Sequence, residues 1–578
     1  MPMITGIDVL GIQRYVFASN RLRDVLAASW MVDHVMRREA DSLLQWGMTD
    51  DRVLLAAGGN AILEFASLDD ARTWTRQYTR WLQDEAPGLE VVVAHRPYDG
   101  RSLAWGLKAL AIDLARAKLE RRPSSPQLGL SVTVACSVTG LPATSLDRHD
   151  PAPISRHIEV LRRDDVQSRA KERWDSYLPK GLDQARGWRA EFPLELDLMG
   201  RTPGETSLLS VVHVDGNGIG AAIKGWLDRC LGQDVADDRV RTDYREWSRA
   251  IDELGERVLR AMIQRVSSCI VEEENEHGER KCVVRGTPYE LGFSLRDWRD
   301  DKTHKTAKDT VFLPLRPILL GGDDLTFVCD GRIALDLAAA ALKEFETHQI
   351  PHLGEGGAER TLTACAGAAL VKAHAPFHRS YALAESLCAS GKRARQEVNQ
   401  RGQVDTGCWL DWHAGSTRPA EAVEDLRKRE YQDGNLTMRP YPLGQFDGRE
   451  QSWAWLDREL LGPDHADDGS FRGFREVPDE HGGTRCVPNG WSGSRSRVKR
   501  LGSLVPDGSD SIRRQVDAWN AIEHGVQLPA RLAAGGFVGQ RTPLLDAIEL
   551  LDLHVRLEPD PTAAGLAVSA AAREEETR

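Results

Sequence analysis

Apolar and polar positions along the chain alternate between a period of two and a period near 3.6, and the same order of switches occurs twice. "MITGIDVLGIQ" (3–13) is an apolar strand ending in Asp8 and a glycine turn. A helical stretch follows, "RLRDVLAASWMVDHVMRREADSLLQW" (21–46). Next come two short apolar runs, "RVLLAAGGNAILEFAS" (52–67), joined through Gly58, Gly59 and Asn60. A helix over 69–85, a strand "LEVVVAH" (89–95), a helix over 102–120 and a last strand "LGLSVTVACSVTG" (128–140) complete the unit.

Around residue 208 the order begins again. "SLLSVVHVDGNGIG" (207–220) is an apolar strand ending in Asp215 and a glycine-rich turn. A long helix (243–270) and a polar insertion lead to the hairpin "RPILLGGDDLTFVC" (316–329). A helix (331–347), a strand (360–373), a helix (379–398) and "CWLDWH" (408–413) follow. Strand, helices, hairpin, helix, strand, helix, strand is the order of a ferredoxin-like palm, an antiparallel sheet backed by helices. The fold class expected is therefore α+β, with two ferredoxin-like palms and a C-terminal helical domain. The boundaries expected are a first palm over 1–145, a helical connector over 146–205, a second palm over 206–413 and a mostly helical domain over 414–578. The tail "AAREEETR" is expected to fray.

Composition narrows the class. Of 578 residues, 41% are apolar and 28% charged, the balance of a soluble globular chain. The start lacks the pattern of a signal peptide, and no apolar run is long enough to cross a bilayer. The nine cysteines are scattered with no CxxC pair, so no structural zinc site is expected and a reduced, cytoplasmic protein is. A net charge of −12 argues against a surface built throughout to hold nucleic-acid backbone. Local basic stretches remain at "SRSRVKRLG" (494–502) and "GKRARQ" (391–396).

The candidate chemistry lies in "LLGGDDLTFVCDG" (319–331). On one reading, Gly321 and Gly322 supply a tight turn and Asp323 and Asp324 are solvated turn residues. The other reading follows from Asp215, which ends the adjacent strand. Neighbouring strands run about 4.8 Å apart, so the three carboxylates converge on one small volume. They repel unless a cation lies between them, and hard, oxygen-seeking Mg2+ or Mn2+ suits that place. Two such ions about 4 Å apart activate an attacking hydroxyl and stabilise the leaving oxygen of an in-line displacement. Asp215, Asp323 and Asp324 are thus the candidate catalytic and metal-binding residues. In "DGNGIG", Gly216, Asn217, Gly218 and Gly220 offer backbone N–H groups to triphosphate oxygens, and the Gly216 carbonyl is a further metal donor. Lys392, with Arg393 and Arg395, is expected to bring positive charge over the phosphates.

At these residues the chain resembles the large palm-domain subunit of type III CRISPR effector complexes, the cyclic-oligoadenylate synthetase family, itself related to GGDEF nucleotide cyclases. The matching stretches are "GIDVLGIQRYVFASNRLRDVLAASW", "AGGNAILEF", "CSVTGLPA", "HVDGNGIG", "LLGGDDLTFV" and "ACAGAALVKAHAPFHRSYALAESLCASGKRARQ". The resemblance implies nucleotide cyclase-like palms facing each other as a pseudo-dimer. It implies joining of ATP units by 3′–5′ linkages with release of pyrophosphate, and a degenerate first palm that holds a second ATP near Asn60. Lys392 becomes a phosphate contact. Effector subunits and guide or target RNA become expected partners, with no membrane.

Three departures accompany the resemblance. Many such proteins begin with an HD-type nuclease domain, whereas here the first palm starts at once and "DRHDP" (147–151) lacks a helical His/Asp set, so no nuclease is expected. The zinc-binding cysteine cluster common between such palms is missing, and His213 stands where relatives often carry another acidic residue. Two alternative functions stay open: a structural subunit of a guide-RNA complex with little activity, and a GGDEF-like cyclic-dinucleotide synthase.

Overall fold

The computed structural model describes residues 1–558 apart from 99, 122–131, 149, 200–207, 275–277, 279, 288–290, 300–305, 403–405, 416–420, 431–435, 447–450, 463–469, 473, 479–483, 489–490, 492–493, 523–527, 530–531 and 533–534. The first unit consists of β1 (Met3–Leu10), α1 (Leu22–His34), β2 (Val53–Ala57), β3 (Asn60–Phe65), α2 (Leu68–Glu85), β4 (Glu90–Pro97) and α3 (Leu103–Glu120). Its sheet order is β2-β3-β1-β4, all antiparallel. That is the ferredoxin-like arrangement expected.

The second unit repeats it with β5 (Leu208–Gly216), α4 (Ile219–Gly232), α5 (Asp237–Ser267), β6 (Leu315–Leu320), β7 (Asp324–Asp330), α6 (Ala334–Thr347), β8 (Ala364–Lys372) and α7 (Phe377–Gly402). Its strand order β6-β7-β5-β8 is the same. Two more strands, β9 (Trp409–Ala414) and β10 (Tyr441–Pro442), extend the sheet, β9 running parallel to β8.

Strand alternation explains why β5 is buried on both faces. Val212 and Val214 enter one core, Leu209 and Val211 the other. His213 and Asp215 share the second face, against which α7 lies through Tyr381, Ala384 and Leu387. The helix approaches unusually closely at Gly367 of β8, where a methyl group would sit 2.0 Å from the Ala384 carbonyl oxygen.

The two palms meet at their hairpin tips. Gly58 (φ 57°) abuts the Gly321 carbonyl, and the Ser29 hydroxyl of α1 donates to the Ile318 carbonyl of β6. The pseudo-dimer thus brings two glycine turns face to face.

Several sequence expectations need correction. The helix drawn over 21–46 ends at His34, because the polar run "RREAD" after Met36 leaves no apolar face to bury. The strand drawn over 128–140 does not form among its described residues. Val132 and Val134 are exposed, and a single bridge joins Ala135 to Pro142. Residues 128–131 lie outside the described part. The polar insertion carries strands of its own, including Ile270–Glu274, Arg280–Val284 and Thr306–Phe312.

Beyond residue 414 the chain has helices at Val423–Glu430, Arg495–Leu504, Ser509–Ile522 and Leu544–Leu551, as the pattern predicted. Within this region, expected to be mostly helical, Tyr441–Pro442 instead supplies β10. Trp412 stacks on Tyr441 at 5.7 Å, and Asp546 pairs with Arg439 at 2.7 Å and accepts from the Tyr441 hydroxyl at 2.8 Å. The C-terminal part therefore shares its core with the second palm.

Candidate functional site

Antiparallel pairing of β5 with β7 places Asp215 directly opposite Asp324, and His213 opposite Thr326. Side chains so paired have Cβ atoms about 5 Å apart. Asp323 lies in the two-residue turn before β7. Its carbonyl accepts from the Gly216 N–H at 3.0 Å, and the Gly321 N–H donates to the Asp324 carbonyl at 2.8 Å. Gly322 holds φ 81°, and a side chain there would strike Ile251 at 2.8 Å, so this turn position demands glycine.

The first palm has the same frame with different chemistry. Asp8 stands opposite Asn60 as Asp215 stands opposite Asp324. Its turn donates from Val9 N–H to the Gly59 carbonyl, the counterpart of Gly216 to Asp323. The register thus aligns Gly59 with Asp323 and Asn60 with Asp324, one residue away from a glycine-on-glycine alignment. Two of three carboxylates are lost and one is kept. Asp8 pairs with Lys118 of α3, as Asp215 pairs with Lys392 of α7.

Lys392 is central to the second site. Its Nζ lies 2.6 Å from an Asp215 carboxylate oxygen and donates to the Gly216 carbonyl at 3.0 Å. That carbonyl, expected as a metal donor, is instead taken by the lysine. Burial pulls the ammonium down, but the bond to Asp215 and its charge leave it above the usual lysine value.

The acidic pair is electrostatically unfavourable as it stands. Burial first, then the charges of Asp324 and Asp215, push the Asp323 carboxyl up to about 6. Burial and the Asp215 charge push Asp324 up to about 7. The Asp324 side chain is nonetheless 47% exposed, so its two oxygens differ. Oδ1 is buried without a hydrogen-bond partner, and the rest of the carboxyl faces the opening. A carboxylate oxygen that accepts no hydrogen bond, next to the Asp215 charge, is a hard donor of the kind that Mg2+ or Mn2+ takes.

Among the described residues, the donor atoms that lie within 4.8 Å of one another here belong to His213, Asp215 and Cys388, not to the three aspartates. Lys392 of α7 holds the Asp215 carboxylate on that side.

The glycine loop divides by role. Gly218 (φ 70°) caps the start of α4, and Gly220 in its first turn has open space around it. Asn217 is 8% exposed. Its N–H donates to the Thr363 carbonyl at 2.7 Å and its Nδ2 to the Thr363 hydroxyl at 3.2 Å, so it braces the loop against β8. Beside it a pocket is lined by Asn217, Gly218, Lys392, Arg395, Gln396 and Asn399. Arg395 donates to the Gly407 carbonyl from there, whereas Arg393 turns outward to Glu424 and is not part of the site. Asn60 donates to the Gly58 carbonyl at 3.3 Å, at the tip that touches Gly321.

Two residues were not singled out from the sequence. Asp252 of α5 abuts Gly322, and burial pushes its carboxyl up to about 7 against the opposing charge of Arg38. Gln13 of the first palm donates to Glu385 at 2.8 Å and to the Tyr381 hydroxyl at 3.1 Å, tying α7 to the opposite palm. Gln13 lies within a matching stretch but its partners are on the opposite palm, and Asp252 gains its place only from the packing of α5 on the hairpin turn.

No protein-family model and no curated protein matches the sequence. Solved structures do. The chain is similar to one described as a Csm1–Csm4 cassette in complex with AMPPNP, at 13% identity over 96% of this chain and 69% of that chain, TM-score 0.49. It is similar to Csm1 in T.onnurineus, at 14% identity over 96% and 69%, TM-score 0.47. It is also similar to a Csm1–Csm4 subcomplex in the type III-A CRISPR-Csm interference complex, at 14% identity over 95% and 70%, TM-score 0.47. No helix among the described residues is long and apolar enough to cross a membrane.

Proposed function

We propose that the chain is a metal-dependent nucleotidyltransferase that joins ATP units through 3′–5′ linkages into cyclic or short oligoadenylates, acting in type III CRISPR-type defence. The carrying observation is the register that sets Asp215 opposite Asp324, with Asp323 in the adjoining turn and Lys392 reaching in from α7. The motif resemblance of "HVDGNGIG" and "LLGGDDLTFV" supplies the substrate class.

Asp215, Asp323 and Asp324 would hold Mg2+ or Mn2+, which when bound supplies positive charge to the triphosphate and lowers the pKa of the attacking hydroxyl. The Gly216 and Asn217 N–H groups, expected to face phosphate, are spent on the Asp323 and Thr363 carbonyls, so the N–H groups from Gly218 to Gly220 at the start of α4 and the ammonium of Lys392 orient the triphosphate for in-line attack. The 3′ oxygen of one nucleotide then bonds to the α-phosphorus of the next. The bond from that phosphorus to the β-phosphate bridging oxygen breaks, pyrophosphate leaves, and the hydroxyl proton passes to solvent.

The first palm, keeping Asp8 and Lys118 but lacking both turn carboxylates, would position a nucleotide without activating it. Effector subunits and RNA are the partners this reading implies.

Purified protein incubated with radiolabelled ATP and Mn2+ is expected to yield cyclic or short oligomers. The double substitution Asp323→Ala, Asp324→Ala is expected to abolish them while the melting transition persists. Undiminished product from that variant would overturn the site assignment. Product mass separates this reading from a cyclic-dinucleotide synthase.

A further inference from the structure

Strand period and helix period together place four side chains face to face at the root of the cleft. His213 and Asp215, two apart on β5, project from one face of the sheet. Cys388 and Lys392, one turn apart on α7, project toward it. Lys392 meets Asp215. The other corner is the notable one, because ligand atoms of His213, Asp215 and Cys388 all lie within 4.8 Å of one another.

This donor set does not suit the magnesium chemistry proposed above. An imidazole, a thiol and one carboxylate are the ligands that Zn2+ selects in three-residue sites with an open fourth position. Asp324 Oδ1, which accepts no hydrogen bond, lies 3.3 Å from His213 Nδ1 and so borders the same spot, and Thr326 Oγ1 lies 3.2 Å from that nitrogen. The site is walled in, with His213 7% exposed and Cys388 buried, and it opens through Asp215, 40% exposed.

We propose that His213, Asp215 and Cys388 form a Zn2+ site, with Asp324 Oδ1 in reach as a fourth donor. On binding, the Cys388 S–H bond breaks, its proton passes to buffer and a S–Zn bond forms; Sγ gives up its contact to the Cys365 carbonyl, now 3.1 Å. Lys392 leaves the Asp215 carboxylate to the metal. No oxidation or reduction is involved. The absence of CxxC pairs concealed this site, since its ligands come from a strand and a helix 173 residues or more apart in sequence.

One consequence rests on the nucleotidyltransferase reading. Zn2+ here takes Asp215 away from the catalytic divalent ion, so it is an inhibitor seated beneath the active centre.

The test uses the full chain and the metal alone. Titration with Co2+, a spectroscopic stand-in for Zn2+, is expected to give a near-ultraviolet thiolate-to-Co2+ charge-transfer band at one equivalent, and Zn2+ is expected to displace it. Cys388→Ser, which keeps a donor for the Cys365 carbonyl, is expected to abolish the band, and His213→Gln to weaken affinity at least tenfold. Absence of the band in the parent protein, or its survival in Cys388→Ser, overturns the proposal. Zinc-edge X-ray absorption of the Zn2+-loaded parent gives a second measure that needs no variant: one sulfur ligand is expected, and a shell of nitrogen and oxygen alone overturns the site. None of these measurements involves nucleotide, so their failure leaves the ATP chemistry untouched. In turnover with Mn2+ and ATP, half-inhibition by Zn2+ is expected to need at least tenfold more metal in Cys388→Ser. Equal sensitivity contradicts the inhibitory consequence alone.

Discussion

Asp215 and Asp324 stand directly opposite each other across two antiparallel strands, and Asp8 and Asn60 stand in the same relation in the other palm. One backbone frame has been used twice, once with an acidic turn and once without. Both copies keep the pairing of the strand aspartate with a lysine from the palm's last helix, Lys392 of α7 in one and Lys118 of α3 in the other. The difference in chemistry between the palms therefore reduces to two turn positions, Asp323 and Asp324 against Gly59 and Asn60.

Restoring one of those positions is expected to be insufficient. Asn60→Asp returns a carboxylate opposite Asp8, but Gly59 still lacks the partner that Asp323 provides. Mn2+ stoichiometry of the variant, measured by equilibrium dialysis, is expected to match the parent. A new high-affinity equivalent would show that a single carboxylate pair is enough.

The acidic turn is expected to destabilise the metal-free protein, with a pH dependence whose sign follows from the raised carboxyl. Asp323 holds its proton more tightly folded than unfolded, its pKa moving from 3.8 to about 6. The folded state is therefore favoured at low pH, and a penalty grows as pH rises from about 4 through about 6. Asp323→Asn removes that penalty. In chelator-containing buffer its gain in stability is expected to be on the order of 1 kcal/mol at pH 8, after allowance for solvent screening, and to shrink toward zero near pH 4. A gain independent of pH would assign the effect to packing instead.

Gly367 is expected to be intolerant of any side chain. A methyl group there would sit 2.0 Å from the Ala384 carbonyl and 2.4 Å from the Cys388 nitrogen, both helix backbone. To accept it, α7 must lift off β8, carrying Lys392 away from Asp215. Gly367→Ala is expected to cost about 3 kcal/mol or more and to lower the melting temperature by several degrees. A melting curve superimposable on the parent's would mean that the helix does not lie so close.

Much of this was legible in the chain because local periodicity and hairpin geometry suffice for it. Once "LLGGDDLTF" is a hairpin and "SVVHVDG" its neighbour, antiparallel register places Asp215 beside Asp324 with no further information. The repeat was legible for the same reason, although its true alignment, Gly59 with Asp323, needed the hydrogen bonds of the turns.

What stayed hidden depends on how elements dock. Lys392 was placed over phosphates by its charge, but its bond to Asp215 depends on α7 lying against β8 at Gly367. Cys388, Asp252 and Gln13 have no residue-level signal in the sequence and gain meaning only from neighbours 70 or more residues away. The alternation in "LGLSVTVACSV" suggested a strand, yet the first sheet closes with four strands and leaves Val132 and Val134 exposed. The strand Tyr441–Pro442 inside the region expected to be mostly helical leaves no trace in the pattern, because a two-residue strand added to a sheet edge has no periodicity to detect.

The most direct test is a crystal structure of the protein with Mn2+ and a non-hydrolysable ATP analogue, with data collected at the manganese edge. The account predicts anomalous density within about 2.5 Å of oxygens of Asp215 and of Asp323 or Asp324, with the triphosphate lying between that density and the 216–220 loop. Nucleotide bound elsewhere, or manganese absent from all three carboxylates while the analogue is bound, would contradict it.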